Sequence, residues 1–229
     1  MILQSRQGST RDYVYGIVKK NILSLKLEPG TMISEKEIGD KLEVSRTPTR
    51  EAFMKLAEEG LIVVYPQKGS FVSLIDIDQV EEARFVRENM EVAVLRIACN
   101  TFTEHDIAEM EALLAEQRII SAQDNNYEKM HELDEQFHET FFNKCGKQRT
   151  WSVIQQMLSQ YKRFRNLLLA VYFDWEMIIA QHTRIVDSIR ARDPDQAEAA
   201  LREHVKSRFE KAELLEKYPN YFLKNDTTL

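Results

Sequence analysis

Between Asp76 and Leu229 the chain carries one glycine, Gly146, and few prolines, while its apolar residues recur at spacings of three and four. A stretch so poor in turn formers cannot supply the tight turns of a sheet, and the period is that of helices with one buried face. The expected fold there is an antiparallel all-helical bundle, with helices near 78–99, 103–121, 124–144, 148–171, 174–192 and 194–217.

The residues before Asp76 follow other rules. Tyr13, Val14, Ile17, Val18 and Ile22 mark a first helix, closed by Pro29-Gly30. Ser34 stands three before Glu37, the spacing of a reciprocal helix cap, and opens a second helix to about Leu42. After Glu43-Val44-Ser45, Pro48 suits the first turn of a third helix, because its missing amide would be unpaired there anyway; Gly60 ends that helix. Residues 61–65 and 70–74 are β-prone runs around Pro66-Gln67-Lys68-Gly69, which is a hairpin pattern. The fold class is therefore expected to be mostly α. A winged helix-turn-helix occupies 1–75 and an all-helical domain 76–229.

A length of 229 residues allows each domain its own core. No stretch approaches the run of about 18 apolar residues that a membrane span needs, and the start lacks the apolar core of a signal peptide. A cytoplasmic protein with no membrane partner is expected. Cys99 and Cys145 match no ligand or redox spacing and read as small apolar fillers in a reducing compartment.

The net charge of −6 argues against a nucleic-acid partner until it is divided: residues 1–75 carry +2 and residues 76–229 carry −8. So small an excess makes position decisive. Ser45, Arg46, Thr47 and Arg50 fall at the start of the third helix, where side chains and free amides can meet phosphates and base edges. Lys68-Gly69 falls at the hairpin tip, where a small residue permits close approach to DNA. A solvated helical domain with a few charges would also carry these residues.

The first domain resembles the GntR family of transcription regulators. The resemblance rests on Leu27-Glu28-Pro29-Gly30, on the run from Val44 through Ser45-Arg46-Thr47-Pro48-Thr49-Arg50 to Glu51-Ala52, and on Glu59-Gly60-Leu61 with Lys68-Gly69. It implies DNA contacts at Lys36, Ser45, Arg46, Thr47, Arg50 and Gly69. Thr49 stands where the family more often has valine.

Asp134 and His138 are four apart, so a helix presents a carboxylate and an imidazole on one side. With His182 and His204 they form a set suited to zinc, nickel, manganese or iron, or else they are scattered surface and core residues. His131 lies near the Asp134 face, as a helper to a ligand or as a surface group, and His105 is expected to be exposed.

Residues from about 78 to 215 resemble the FCD effector domain of the FadR-type subfamily, through Val86-Arg87 with Met90-Glu91, Asp134 with Phe137-His138, His182 with Ile185-Val186 and Ile189, and Ala197 with Ala200 and His204. This resemblance implies a metal site of Asp134, His138, His182 and His204, zinc being the leading candidate. Gln181 replaces a common glutamate, and Arg192-Asp193 replaces a usual Gly-Asp.

Two roles are open to Arg87: a bidentate grip on an effector carboxylate, or an ion pair with Glu91 one turn on. Arg163 and Arg165 are further effector-binding candidates. No HExxH or comparable catalytic pattern accompanies the ligands, so no enzyme is expected. The reading is a homodimeric regulator of double-stranded operator DNA, a repressor by the family's usual pattern, responding to a small carboxylate at a metal site. The alternative is a metal-ion sensor in which the ion itself is the signal.

Overall fold

The computed structural model describes residues 8–123, 127–172, 174–206 and 211–224. Their contacts form two compact units. The first takes the described residues of 1–80, 159–170 and 211–229, and the second those of 81–158 and 171–210.

The first unit opens with α1 (Thr10–Leu23), β1 (Met32–Ile33), α2 (Glu35–Leu42), α3 (Arg46–Glu58), β2 (Ile62–Tyr65) and β3 (Gly69–Val72). Val14, Ile17, Val18 and Ile22 on α1 pack with Ala52, Phe53 and Leu56 on α3, and with Ile38, Leu42, Ile62 and Val72, into one core. The hairpin pairs Ile62 with Val72 and Tyr65 with Gly69. β1 joins its free side, giving an antiparallel sheet of order β1-β3-β2. A strand of two residues is too short to show a period, which is why the sequence pattern announces only the hairpin.

Ser34 caps α2 by accepting the Glu37 amide at 3.4 Å, and the full reciprocal box forms at the later helix α5 (Glu104–Ser121), between Thr103 and Asp106. Gly39 makes the α2–α3 corner possible: a Cβ there would meet the Val44 carbonyl at 3.1 Å and Thr49 Oγ1 at 3.3 Å. Thr49 is buried and donates its hydroxyl to the Ser45 carbonyl, so a polar residue is satisfied beneath the corner.

Two later segments belong to this unit. In α8 (Ser159–Tyr172), Arg163 is fully buried and donates to the Ser73 hydroxyl at 2.9 Å, to the Ser73 carbonyl and to Gln160 Oε1 at 3.2 Å. No carboxylate among the described residues pairs with it, and burial pulls its pKa down to about 10. Asn166 donates to the Leu23 carbonyl at the end of α1. After α11 (Lys211–Lys217) the chain pairs in parallel beside Ile75, whose amide donates to Tyr221 O at 2.8 Å and whose carbonyl accepts from the Leu223 amide at 3.0 Å.

The second unit contains most of α4 (Ile77–Thr101), with α5, α6 (Tyr127–Lys144), α7 (Gln148–Met157), α9 (Trp175–Arg190) and α10 (Pro194–Val205). α5 packs on α6 and α9, and α9 on α10. Leu95, Ala98, Cys99, Met110, Leu133, Phe137, Ile185 and Leu201 are buried there. Arg192 adopts a left-handed φ of 56° and donates to the carbonyls of Cys99 and Phe102, capping the end of α4.

The expected helix over 148–171 is two helices, broken at Leu158 with no glycine or proline to signal it. The expected helix over 194–217 stops at Val205, where Lys206 turns to extended backbone. Residues 124–126, at the start of another expected helix, and 207–210 lie outside the described residues. No described helix is long and apolar enough to cross a membrane.

Phe222 is nearly fully buried, its ring 6.4 Å from Phe164. If this C-terminal segment is part of the core of the first unit, Phe222→Ala lowers unfolding free energy by about 3–5 kcal/mol in urea titrations. A loss below about 1 kcal/mol would place the segment outside the core.

Candidate nucleic-acid interface and metal centre

α3 begins at an exposed corner. Ser45 occupies its N-cap position without a side-chain capping bond, and no acidic residue stands in its first turn. Its free amides and partial positive charge therefore face solvent unopposed. Ser45, Arg46, Thr47 and Arg50 are all exposed, as are Lys36 on α2 and Lys68 at the hairpin tip, with Gly69 half-buried beside it. Among the described residues Lys36, Arg46, Arg50 and Lys68 make no ion pair, which leaves their charge available to an anionic partner. Gly69 has φ 111°, and a Cβ on it would lie 3.0 Å from Met32 Cε, so the tip is built for a residue without a side chain.

In the second unit, α6 supplies Asp134 and His138, α9 supplies His182 and α10 supplies His204. Their ligand-type atoms all lie within 4.8 Å of one another. His138 and His204 Nε2 are 3.2 Å apart, and His182 Nε2 is 3.5 Å from Asp134 Oδ1. Asp134, His138 and His182 are buried and His204 is half-buried. The Phe137 ring stacks on His182 at 4.0 Å, holding it in plane.

The outer nitrogens decide what the inner ones can do. His138 Nδ1 lies 2.8 Å from Glu91 Oε2, His182 Nδ1 lies 3.0 Å from Gln117 Oε1, and His204 Nδ1 lies 3.0 Å from Gln181 Oε1. Gln117 Nε2 donates to the Leu133 carbonyl, which turns its oxygen toward His182. An oxygen this close to each Nδ1 favours the proton there, which would turn the three Nε2 lone pairs into the cluster. Lone pairs of His138 and His204 facing one another at such short range are mutually repulsive, and a cation between them relieves this. Three nitrogens and one carboxylate oxygen fit a divalent transition ion such as zinc.

Arg87 lies on α4 with Glu91, and its Nε donates to Glu91 Oε1 at 2.6 Å in a buried pair. Burial pushes the Glu91 carboxyl up, but Arg87 and His138 together pull it further down, to about 2. The second of the two roles open to Arg87 is therefore formed, as a buried pair rather than a surface one. Arg163 and Arg165 fall on the part of α8 that belongs to the first unit, where Arg163 is engaged by Ser73 and Gln160. His131 packs edge-on to Trp175, and His105 lies exposed beside Glu109.

Sequence reasoning did not assign Glu91, Gln117 and Gln181 to the site. Gln181 adjoins a ligand and Glu91 sits one turn from Arg87, but Gln117 carries no signal at all, since only folding brings α5 against α9.

The FCD domain family matches residues 82–207, and the family described as bacterial regulatory proteins, gntR family, matches residues 10–72. The chain is 35% identical over 192 residues to the HTH-type transcriptional repressor RspR of Escherichia coli (strain K12), spanning 84% of each protein. It is 30% identical over 227 residues to an HTH-type transcriptional regulator in an unstable DNA locus of Streptomyces ambofaciens, spanning 99% of this chain and 95% of the relative. Among solved structures, E. coli McbR/YncC shares the fold with a TM-score of 0.75 at 19% identity, over 93% of this chain and 100% of that one.

Proposed function

The chain belongs to the GntR family of bacterial regulatory proteins, with an FCD domain following the DNA-binding head, and on that premise we propose that it is a homodimeric repressor controlled by a small carboxylate bound at a metal site. That it is a DNA-binding transcriptional regulator and not an enzyme follows from the family and its relatives. Localisation to the cytoplasm goes with that role.

The observation that carries the effector reading is the meeting of Asp134, His138, His182 and His204, each imidazole with an oxygen within 3.0 Å of its outer nitrogen. Asp134 and the three Nε2 atoms would hold the ion, which would offer its remaining coordination positions to an effector carboxylate as a Lewis acid. Arg87, in the same unit as the cluster, is the candidate for pairing with the same carboxylate. Occupancy shifts the population between DNA-competent and incompetent states.

At the DNA, two copies of α3 enter successive major-groove turns of a pseudo-palindromic site about 34 Å apart. Arg46 and Arg50 reach base edges or phosphates from the acid-free start of α3; Lys36, Ser45, Thr47, Lys68 and Gly69 position the backbone.

Arg46→Ala and Arg50→Ala are each expected to weaken binding to a duplex selected from a random library by at least about tenfold, with melting temperature unchanged. Specific binding at wild-type strength would refute the interface. For the effector site, His182→Ala or His204→Ala should lower the metal content of protein purified without added metal. Thermal shifts against a panel of carboxylate metabolites should show a rise of several degrees with one member, abolished by a chelator. Bound metal with no response to any acid would make the ion itself the signal.

A further inference from the structure

Three imidazoles face the cluster, but their outer partners differ. The Nδ1 atoms of His182 and His204 are hydrogen-bonded to neutral amides, Gln117 and Gln181, while His138 Nδ1 alone lies against a carboxylate, 2.8 Å from Glu91 Oε2, in a close contact without hydrogen-bond alignment. An anion this close to one ring nitrogen favours a proton there and pushes electron density toward the far nitrogen more strongly than an amide does, so the three donors are unequal. Glu91 is buried and has one oxygen on Arg87 Nε and the other on His138 Nδ1. The guanidinium compensates the buried charge and orients the carboxylate, and the nearby carboxylate favours the His138 tautomer with its proton on Nδ1.

We propose that Glu91 is a positioning residue of the cluster, making His138 its strongest nitrogen donor and thereby setting its affinity for a divalent metal ion. The proposal rests on the reading of the cluster as a metal site. It extends that site to a residue on α4, an element that supplies none of the four ligands.

Glu91→Gln is nearly isosteric, yet neither orientation of the amide reproduces the arrangement. With its oxygen on His138, its NH2 group opposes the Arg87 Nε–H. With its oxygen on Arg87, its NH2 group donates to His138 Nδ1, which moves the imidazole proton to Nε2 and blocks that lone pair. Gln181→Glu is the converse change, giving His204 the carboxylate partner that His138 already has.

Zinc affinity of the full-length chain is measured by competition with a chromogenic chelator, and the tautomers of the metal-free protein are read by long-range nitrogen–proton NMR of its histidines. Glu91→Gln is expected to weaken zinc by about 10–100-fold and to shift the His138 proton away from Nδ1. Gln181→Glu is expected to tighten zinc, and it keeps the proposal testable if Glu91→Gln does not fold. Wild-type protein that binds zinc while both variants match it overturns the role of Glu91 alone. Wild-type protein that binds no zinc overturns the metal site itself and this proposal with it.

Discussion

Four polar groups, three of them fully enclosed, lie with their ligand atoms within 4.8 Å of one another inside the helical unit. Taking an imidazole out of water without partners is unfavourable, and crowding several together adds repulsion between like-oriented lone pairs. The surrounding helices are arranged to meet that demand. α6 offers Asp134 and His138 one turn apart, α9 and α10 bring His182 and His204, α5 contributes Gln117, and α4 contributes Glu91 with Arg87 beneath it. The outer nitrogens of His182 and His204 bond amide oxygens, that of His138 lies against the Glu91 carboxylate, and the inner nitrogens are left to converge. A core built only for stability would have filled this volume with apolar side chains, because buried ionic groups seldom stabilise more than their hydrophobic equivalents. Their presence together is what supports the reading of the cluster as a ligand site.

The DNA-binding head follows the opposite logic. Its apolar side chains are sequestered among α1, α3 and the sheet, while Lys36, Arg46, Arg50 and Lys68 stand at the surface with no ion pair among the described residues. The start of α3 has neither an acidic residue in its first turn nor a capping side chain. Such a terminus is poorly satisfied in isolation and well matched to phosphate. Gly39 and Thr49 beneath the corner let α2 and α3 approach closely enough to present that terminus. The helical unit thus surrounds its buried polar cluster with partners, while the start of α3 leaves its amides and cations exposed.

What the sequence alone determined were properties that repeat or recur locally: helical period, the hairpin around Lys68-Gly69, the caps, the exposed start of α3, and the i,i+4 pair of Asp134 and His138. These depend on backbone geometry within a few residues, so spacing is enough to reveal them. The family motifs added the other two candidate ligands, His182 and His204, which spacing left open. Tertiary structure alone decided what lies across long separations. It brought Gln117 to His182, Glu91 to His138, Arg163 to Ser73 and the C-terminal segment to Ile75, and it split an expected helix at Leu158 without any breaker residue. Such contacts arise from packing one apolar face on another, and a side chain far away in the chain meets its partner only after that packing has chosen the register. For that reason the candidate ligands were legible in the sequence and the residues beside them, Gln117 and Glu91, were not.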